Sequence, residues 1–161
     1  MAGTFLGNFC IDITVTHQLA SYSSVRQENS IGPRVRVEQA TRSRGLGPGQ
    51  RIIAWNIQNL GREPLQILSG RLPHSQFRSE ERKLSPIPKL LPNESVRLEF
   101  SVACSEPPGT IVENAFLILR VLWLEEHWRV LARLRVNFDE TGGPQSITEV
   151  ITTHRIGFSE R

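Results

Sequence analysis

The stretch AFLILRVLWLEEHWRVLARLRVNF, running from Ala115 to Phe138, decides the fold. On one parity it carries Ala115, Leu117, Leu119, Val121 and Trp123, then Trp128, Val130, Ala132, Leu134, Val136 and Phe138, all apolar. The other parity holds Phe116, Ile118, Arg120, Leu122 and Leu124, then Arg129, Leu131, Arg133, Arg135 and Asn137. Side chains alternate faces along a strand, so this pattern predicts two antiparallel strands with one row in the core. A slip of one residue would set the apolar row against the arginine row, so the register has a strong preference. Pairing Trp123 with Trp128 keeps the rows matched. That choice implies a four-residue loop, Leu124-Glu125-Glu126-His127, because a two-residue turn here lacks the Asn or Gly that primed turns favour.

Working outward, further strands are expected at Phe9 to Val15, around Val35 and Val37, from Arg51 to Ile57, from Leu65 to Leu72 and from Val96 to Val102. Each shows apolar alternation or a short apolar run between turn signals. Gly70 weakens the fourth of these. Gly45-Leu46-Gly47-Pro48-Gly49 and Glu106-Pro107-Pro108-Gly109 are chain breakers. Residues 18–33 read as a polar loop or weak edge. Residues 73–93, with Pro73, Pro86, Pro88 and Pro92, leave room for no more than a helical turn near Ser75. The tail is ambiguous. Ser146 and Glu149 fit a helix cap, whereas Ile147, Val150, Ile151, Thr152 and Thr153 favour a strand.

Seven or eight strands without an amphipathic helix define an all-β chain, expected to be an immunoglobulin-like antiparallel β-sandwich. At 161 residues it is expected to be one domain spanning 1–161, with 139–161 as a C-terminal tail or added strand. The segment from Ile52 to Val136 resembles the bacterial immunoglobulin-like modules of the CARDB type. Three pieces carry the resemblance: a strand ending in Asn59-Leu60-Gly61, the lead-in Leu91-Pro92-Asn93-Glu94-Ser95 before the strand Val96 to Val102, and Pro108-Gly109 ahead of the hairpin. Asn93 stands where glycine is usual, and Asn tolerates the left-handed backbone such a turn needs. The resemblance implies a binding or spacing role.

A hydrophobic content of 39% and a charged content of 22% exclude a disordered chain. No apolar run approaches the roughly 20 residues of a membrane helix. Met1 to Gly7 lacks the basic and apolar regions of a signal peptide, so a cytoplasmic location is the default expectation if Met1 is the native start. Cys10 and Cys104 are too few for a disulfide framework, and reduced thiols are expected. His17, His74, His127 and His154 sit in no metal-ligand spacing. There is no Gly-x-Ser-x-Gly elbow, and the glycines at 45, 47 and 49 lead into a strand instead of a phosphate-binding helix. Glu125 and Glu126 are adjacent and would point apart on an extended backbone, so they make a poor acid/base pair. The sequence therefore assigns no catalytic residues, no metal and no cofactor.

Arginine makes up 17 of the 19 basic residues, either as a compositional habit or as a sign of anion recognition. Two groups stand out. Phe116, Ile118, Arg120, Leu122, Leu131, Arg133 and Arg135 form a mixed apolar-and-arginine outer face on the hairpin. Either the N-terminal segment or the 146–158 tail covers that face, or it meets a partner, since arginine is enriched at protein interfaces. Arg34, Arg36, Arg42, Arg44 and Arg51 form a second cluster, which suits nucleic acid or another polyanion. The expectation is a non-enzymatic protein-binding or assembly module, acting on another protein or through self-association. Nucleic-acid binding is the weaker reading, because few aromatics interleave with these arginines, and an enzyme with a site assembled from distant residues, such as Cys104 and a histidine, is weaker still.

Overall fold

Among the described residues of the computed structural model, 26–27, 31–45 and 47–157, backbone pairing forms ten strands and no helix. They are β1 (Arg26–Gln27), β2 (Val35–Arg44), β3 (Gln50–Asn59), β4 (Leu65–His74), β5 (Phe77–Lys83), β6 (Lys89–Leu90), β7 (Ser95–Ala103), β8 (Ile111–Trp123), β9 (Glu126–Phe138) and β10 (Pro144–Arg155). The order across the sheet is β1-β10-β9-β8-β4-β5-β7-β3-β2, with β6 attached to β4. All neighbours are antiparallel except β1 and β10, which run parallel. The expected strand at Phe9 to Val15, together with Cys10 and His17, lies outside the described residues.

The sheet nearly closes on itself, and side chains make the seam between β2 and β10. Thr148 Oγ1 donates to the Val37 carbonyl at 2.7 Å. The Gln39 side chain accepts from the Ser146 amide at 2.7 Å and donates to the Pro144 carbonyl at 3.1 Å. Arg42 reaches the Gly143 and Pro144 carbonyls and pairs with Asp139. Register shifts at Ala40 and Glu149 break the regular ladder beside this seam. Such bulges bend a strand and increase its twist, as a sheet curling toward closure requires.

The enclosed core contains Trp55, Phe77, Phe100 and Phe138, all essentially inaccessible. Trp55 meets Phe77 and Phe100 edge-on, with ring centroids 6.1 and 5.9 Å apart. Its Nε1 donates to Ser146 Oγ at 3.2 Å, so the central ring is tied directly to the seam. Gly70 faces this cluster. A Cβ added there would lie 2.6 Å from Phe100 Cζ and 3.1 Å from Leu119 Cδ2. Gly70 is therefore a packing requirement, and β4 continues through it as a full ten-residue strand.

The apolar row of the hairpin is buried as its alternation requires, from Ala115 through Val121 and from Trp128 through Phe138. The turn differs from the expectation. Trp123 pairs with Glu126, leaving the two-residue turn Leu124-Glu125. Both turn residues take left-handed backbone, with φ of 48° and 61°. That conformation suits a primed hairpin turn, although neither residue is the usual Asn or Gly. The tryptophans consequently meet diagonally, at 5.7 Å and nearly perpendicular, instead of directly opposite. The extra ladder pairing and this aromatic contact outweigh the turn strain.

Two further expectations change. Residues 73–93 contain a seven-residue strand, β5, which forms a hairpin with β4 and touches β7 through Arg78 opposite Ala103. Its sequence, FRSEERK, buries only Phe77, so the apolar alternation that reveals other strands is missing. The ambiguous tail is a strand, and it lies alongside β9 as an added neighbour. Pro144–Arg155 therefore does not lie across the outer face of the hairpin. Ile156 beyond it reaches that face beside Ile118 and Arg120, and the N-terminal segment, the other expected cover, lies outside the described residues. Asn93 adopts φ of 67°, as the lead-in to β7 requires.

Candidate functional site

The outer face of β8 and β9 is built by the same alternation that forms the core. Its rows are set by pairing: Leu122 opposite His127, Arg120 opposite Arg129, Ile118 opposite Leu131 and Phe116 opposite Arg133. β10 extends the rows on one side, with His154 beside Arg129, Thr152 beside Leu131 and Val150 beside Arg133. β4 extends them on the other, with Gln66 beside Leu122, Ser69 beside Arg120 and Arg71 beside Ile118. Phe116, Ile118, Leu122 and Leu131 are half-buried. The outer residues of β3 and β7 are largely polar by contrast, including Asn56, Gln58, Arg97, Glu99 and Ser101.

Glutamates answer the arginines on this face. Arg133 Nε lies 3.4 Å from Glu149 Oε2, and Arg135 Nε lies 3.9 Å from Glu113 Oε1. Arg120 Nη1 is 4.0 Å from Glu81 Oε1, and the same carboxylate oxygen accepts from Ser69 Oγ at 2.7 Å. These are partly exposed pairs, each worth about 0–1 kcal/mol. Their main effect is to hold the guanidinium groups across the sheet. All seven residues expected on this surface are therefore brought together.

The sequence did not reveal the acidic partners or Arg71, because they come from β4, β5, β10 and the bulged start of β8. Their nearness depends on pairings between distant segments. Glu113 alone was close enough in sequence to suggest itself, two residues ahead of Ala115.

The second arginine group does not form one surface. Arg42 is turned into the seam, on Asp139 and the carbonyls of residues 143 and 144. Arg36 donates to Gln58 at 3.2 Å and stands 4.0 Å from Glu38. Arg34 is exposed ahead of β2, and Arg44 pairs with Arg51 across the ladder. The cluster dissolves because the bulge at Ala40 changes which way the later residues of β2 face.

The Asp139 carboxyl has its pKa lowered to about 2, below the ordinary carboxylate range. The Thr141 hydroxyl contributes most, followed by the Gly143 amide, with the Thr141 amide and Arg42 adding to it. This is a structural role in the β9–β10 connection. Cys104 is buried at the end of β7, and burial raises its thiol pKa against the lowering influence of Arg51. Two open concavities flank it, lined by residues such as Gly49, Ser75, Gln76 and Glu106, and neither is lined by a histidine. His74 Nδ1 accepts from the Gln76 amide, while His127 and His154 are exposed. Among the described residues no group of three or more His, Cys, Asp and Glu side chains could hold a metal ion. None forms a helix long and apolar enough to cross a membrane.

The fold and this face define an all-β chain whose antiparallel sheet nearly closes. No protein-family model matches it, and no curated protein sequence matches it significantly.

Proposed function

We propose that the chain is a non-enzymatic protein-binding or assembly module on an immunoglobulin-like β-sandwich framework, with the outer face of β8 and β9 as its contact surface. One observation supports this above the others: half-buried Phe116, Ile118, Leu122 and Leu131 alternate with arginines on a face that β10 borders without crossing. Aromatic and arginine side chains dominate the energetics of protein contacts, and apolar centres with polar rims are their usual anatomy. Glu149 and Glu113 restrain Arg133 and Arg135, which lowers the side-chain entropy lost when a partner binds. The complementary partner is a protein surface with an apolar centre and carboxylates at its rim.

The test compares immobilised wild type with Leu122→Glu, Arg133→Glu and Ser101→Glu in capture from the native host. Ser101 is exposed on β7, away from the proposed surface. A protein retained by wild type and Ser101→Glu, but lost from the folded Leu122→Glu and Arg133→Glu variants, supports the assignment. Equal capture by all four refutes it.

A further inference from the structure

The partner that the β8–β9 face calls for has an apolar centre set among carboxylates, and the face itself answers that description. Arg133 stands in the middle of the apolar patch, between Phe116 on β8 and Val150 on β10, with Leu131 two residues along its own strand. Glu149 is the extra residue of the β10 bulge, and its Oε2 lies 3.4 Å from Arg133 Nε. That Nε is shut off from water and makes no hydrogen bond, so the two charges are neighbours without being a satisfied pair. Both side chains still reach the surface, 41% and 37% exposed. Further out, Glu113 accompanies Arg135 and Glu81 accompanies Arg120, so acids and arginines are interspersed over the face. The apolar surface continues past Arg135. Ile147 lies beside it at 58% exposed, and Ile111 beside Asn137 at 49%. Among the described residues no other strand carries so exposed a large apolar side chain.

We propose that this face binds a second copy of the chain about a two-fold axis, an inference that rests on reading the face as a protein contact surface. Two-fold symmetry sets a patch against itself, so the patch must carry both halves of every complementary contact. Arg133 and Glu149 meet that requirement. With the axis beside them, the arginine of each copy lies over the glutamate of the other, and two neighbouring pairs become one square of alternating charge. A face of a single sign would repel its own copy. Around the square, Phe116, Leu131 and Val150 of the two copies pack as one sheet on another, at the usual separation of about 10 Å. The size also suits. From Leu122 to Ile111, across β8, β9, β10 and the adjoining part of β4, the face covers on the order of 700 Å² in plan, close to the ~800 Å² that each partner buries in a standard interface.

The experiment measures self-association of the full chain by sedimentation equilibrium, comparing wild type with Leu131→Glu, Arg133→Glu, Glu149→Arg and Ser101→Glu. Wild type and Ser101→Glu dimerise equally in the expected outcome. Leu131→Glu, Arg133→Glu and Glu149→Arg each weaken the dimer about a hundredfold or more, because each buries a new charge or sets like charges opposite. An equimolar mixture of the Arg133→Glu and Glu149→Arg chains then re-forms a one-to-one dimer, within about tenfold of wild-type affinity, since each altered charge meets its opposite across the axis. Rescue between two separately weakened chains distinguishes a lost interface from a damaged fold. A wild type that stays monomeric at its highest soluble concentration overturns the proposal, and the occupant is then a different protein or the chain's own N-terminal segment. A dimer indifferent to all three charge-bearing variants overturns it too, as does a mixture that fails to re-form. Monomeric wild type with host-protein capture still lost in Leu122→Glu and Arg133→Glu overturns self-association while supporting the contact surface, so the two readings fail separately.

Discussion

Gly70→Ala distinguishes two readings of β4 that predict opposite signs. A glycine inside a strand is ordinarily a weakness, and alanine would then stabilise the protein by about 0.5–1 kcal/mol. The packing says otherwise. The new methyl would sit 2.6 Å from Phe100 Cζ, 3.0 Å from Phe100 Cε1 and 3.1 Å from Leu119 Cδ2. Carbon atoms prefer about 3.5–4.0 Å, so the Phe100 ring must move. It cannot do so freely, because it lies 2% exposed and edge-on to Trp55, whose indole holds Ser146 at the β2–β10 seam. Overpacking of this kind costs about 1–3 kcal/mol. The reduced freedom of the unfolded chain offsets about 0.4–1 kcal/mol of that. The net expectation is destabilisation by about 1–2 kcal/mol, or a fall in Tm of about 2–8 °C. Urea unfolding followed by tryptophan fluorescence measures it, with an unchanged slope confirming the same transition. Phe100→Leu alone also destabilises, by losing core contacts, but it makes room for the methyl. The double variant is therefore less destabilised than the sum, by about 0.5–3 kcal/mol. Stabilisation by Gly70→Ala, or strict additivity with Phe100→Leu, would refute this account of why β4 carries a glycine.

Two other expectations come from the hairpin and its continuation. Glu125 sits at φ of 61°, where an L-residue is strained by about 1–2 kcal/mol. Glu125→Gly should stabilise the protein by about 0.5–1 kcal/mol after the added freedom of the unfolded glycine is deducted, and denaturant midpoints measure this. Glu126→Gly, one residue later in the ladder and paired with Arg155 at 2.6 Å, should destabilise it instead. The third concerns acid. Asp139 has a folded pKa lowered to about 2, so its contribution is present above the ordinary carboxylate range and is lost as pH falls through about 2. The stability gap between wild type and Asp139→Asn should be constant near neutrality, narrow through the acid range and vanish below about pH 2. A gap that persists there would contradict the hydrogen-bonded carboxylate.

The alternation between Ala115 and Phe138 determined which side chains face the core, because a period of two is intrinsic to extended backbone. It also determined that Phe116, Ile118, Arg120, Leu122, Leu131, Arg133 and Arg135 share one outer surface. It did not determine the turn. A register differing by two residues leaves every side chain on the same face, so only turn geometry and the Trp123–Trp128 contact separate the alternatives. β5 was illegible for a related reason: it buries one aromatic residue and is held mainly through backbone pairing. The tertiary structure alone decided what lies beside the arginines. Glu149 approaches Arg133 from β10, Glu81 approaches Arg120 from β5, and Arg71 stands beside Ile118 from β4. These neighbours are set by which distant strands pair, a choice governed by closure of the whole sheet and absent from any local pattern. The same closure draws Arg42 into the seam, away from the other arginines of the 34–51 stretch.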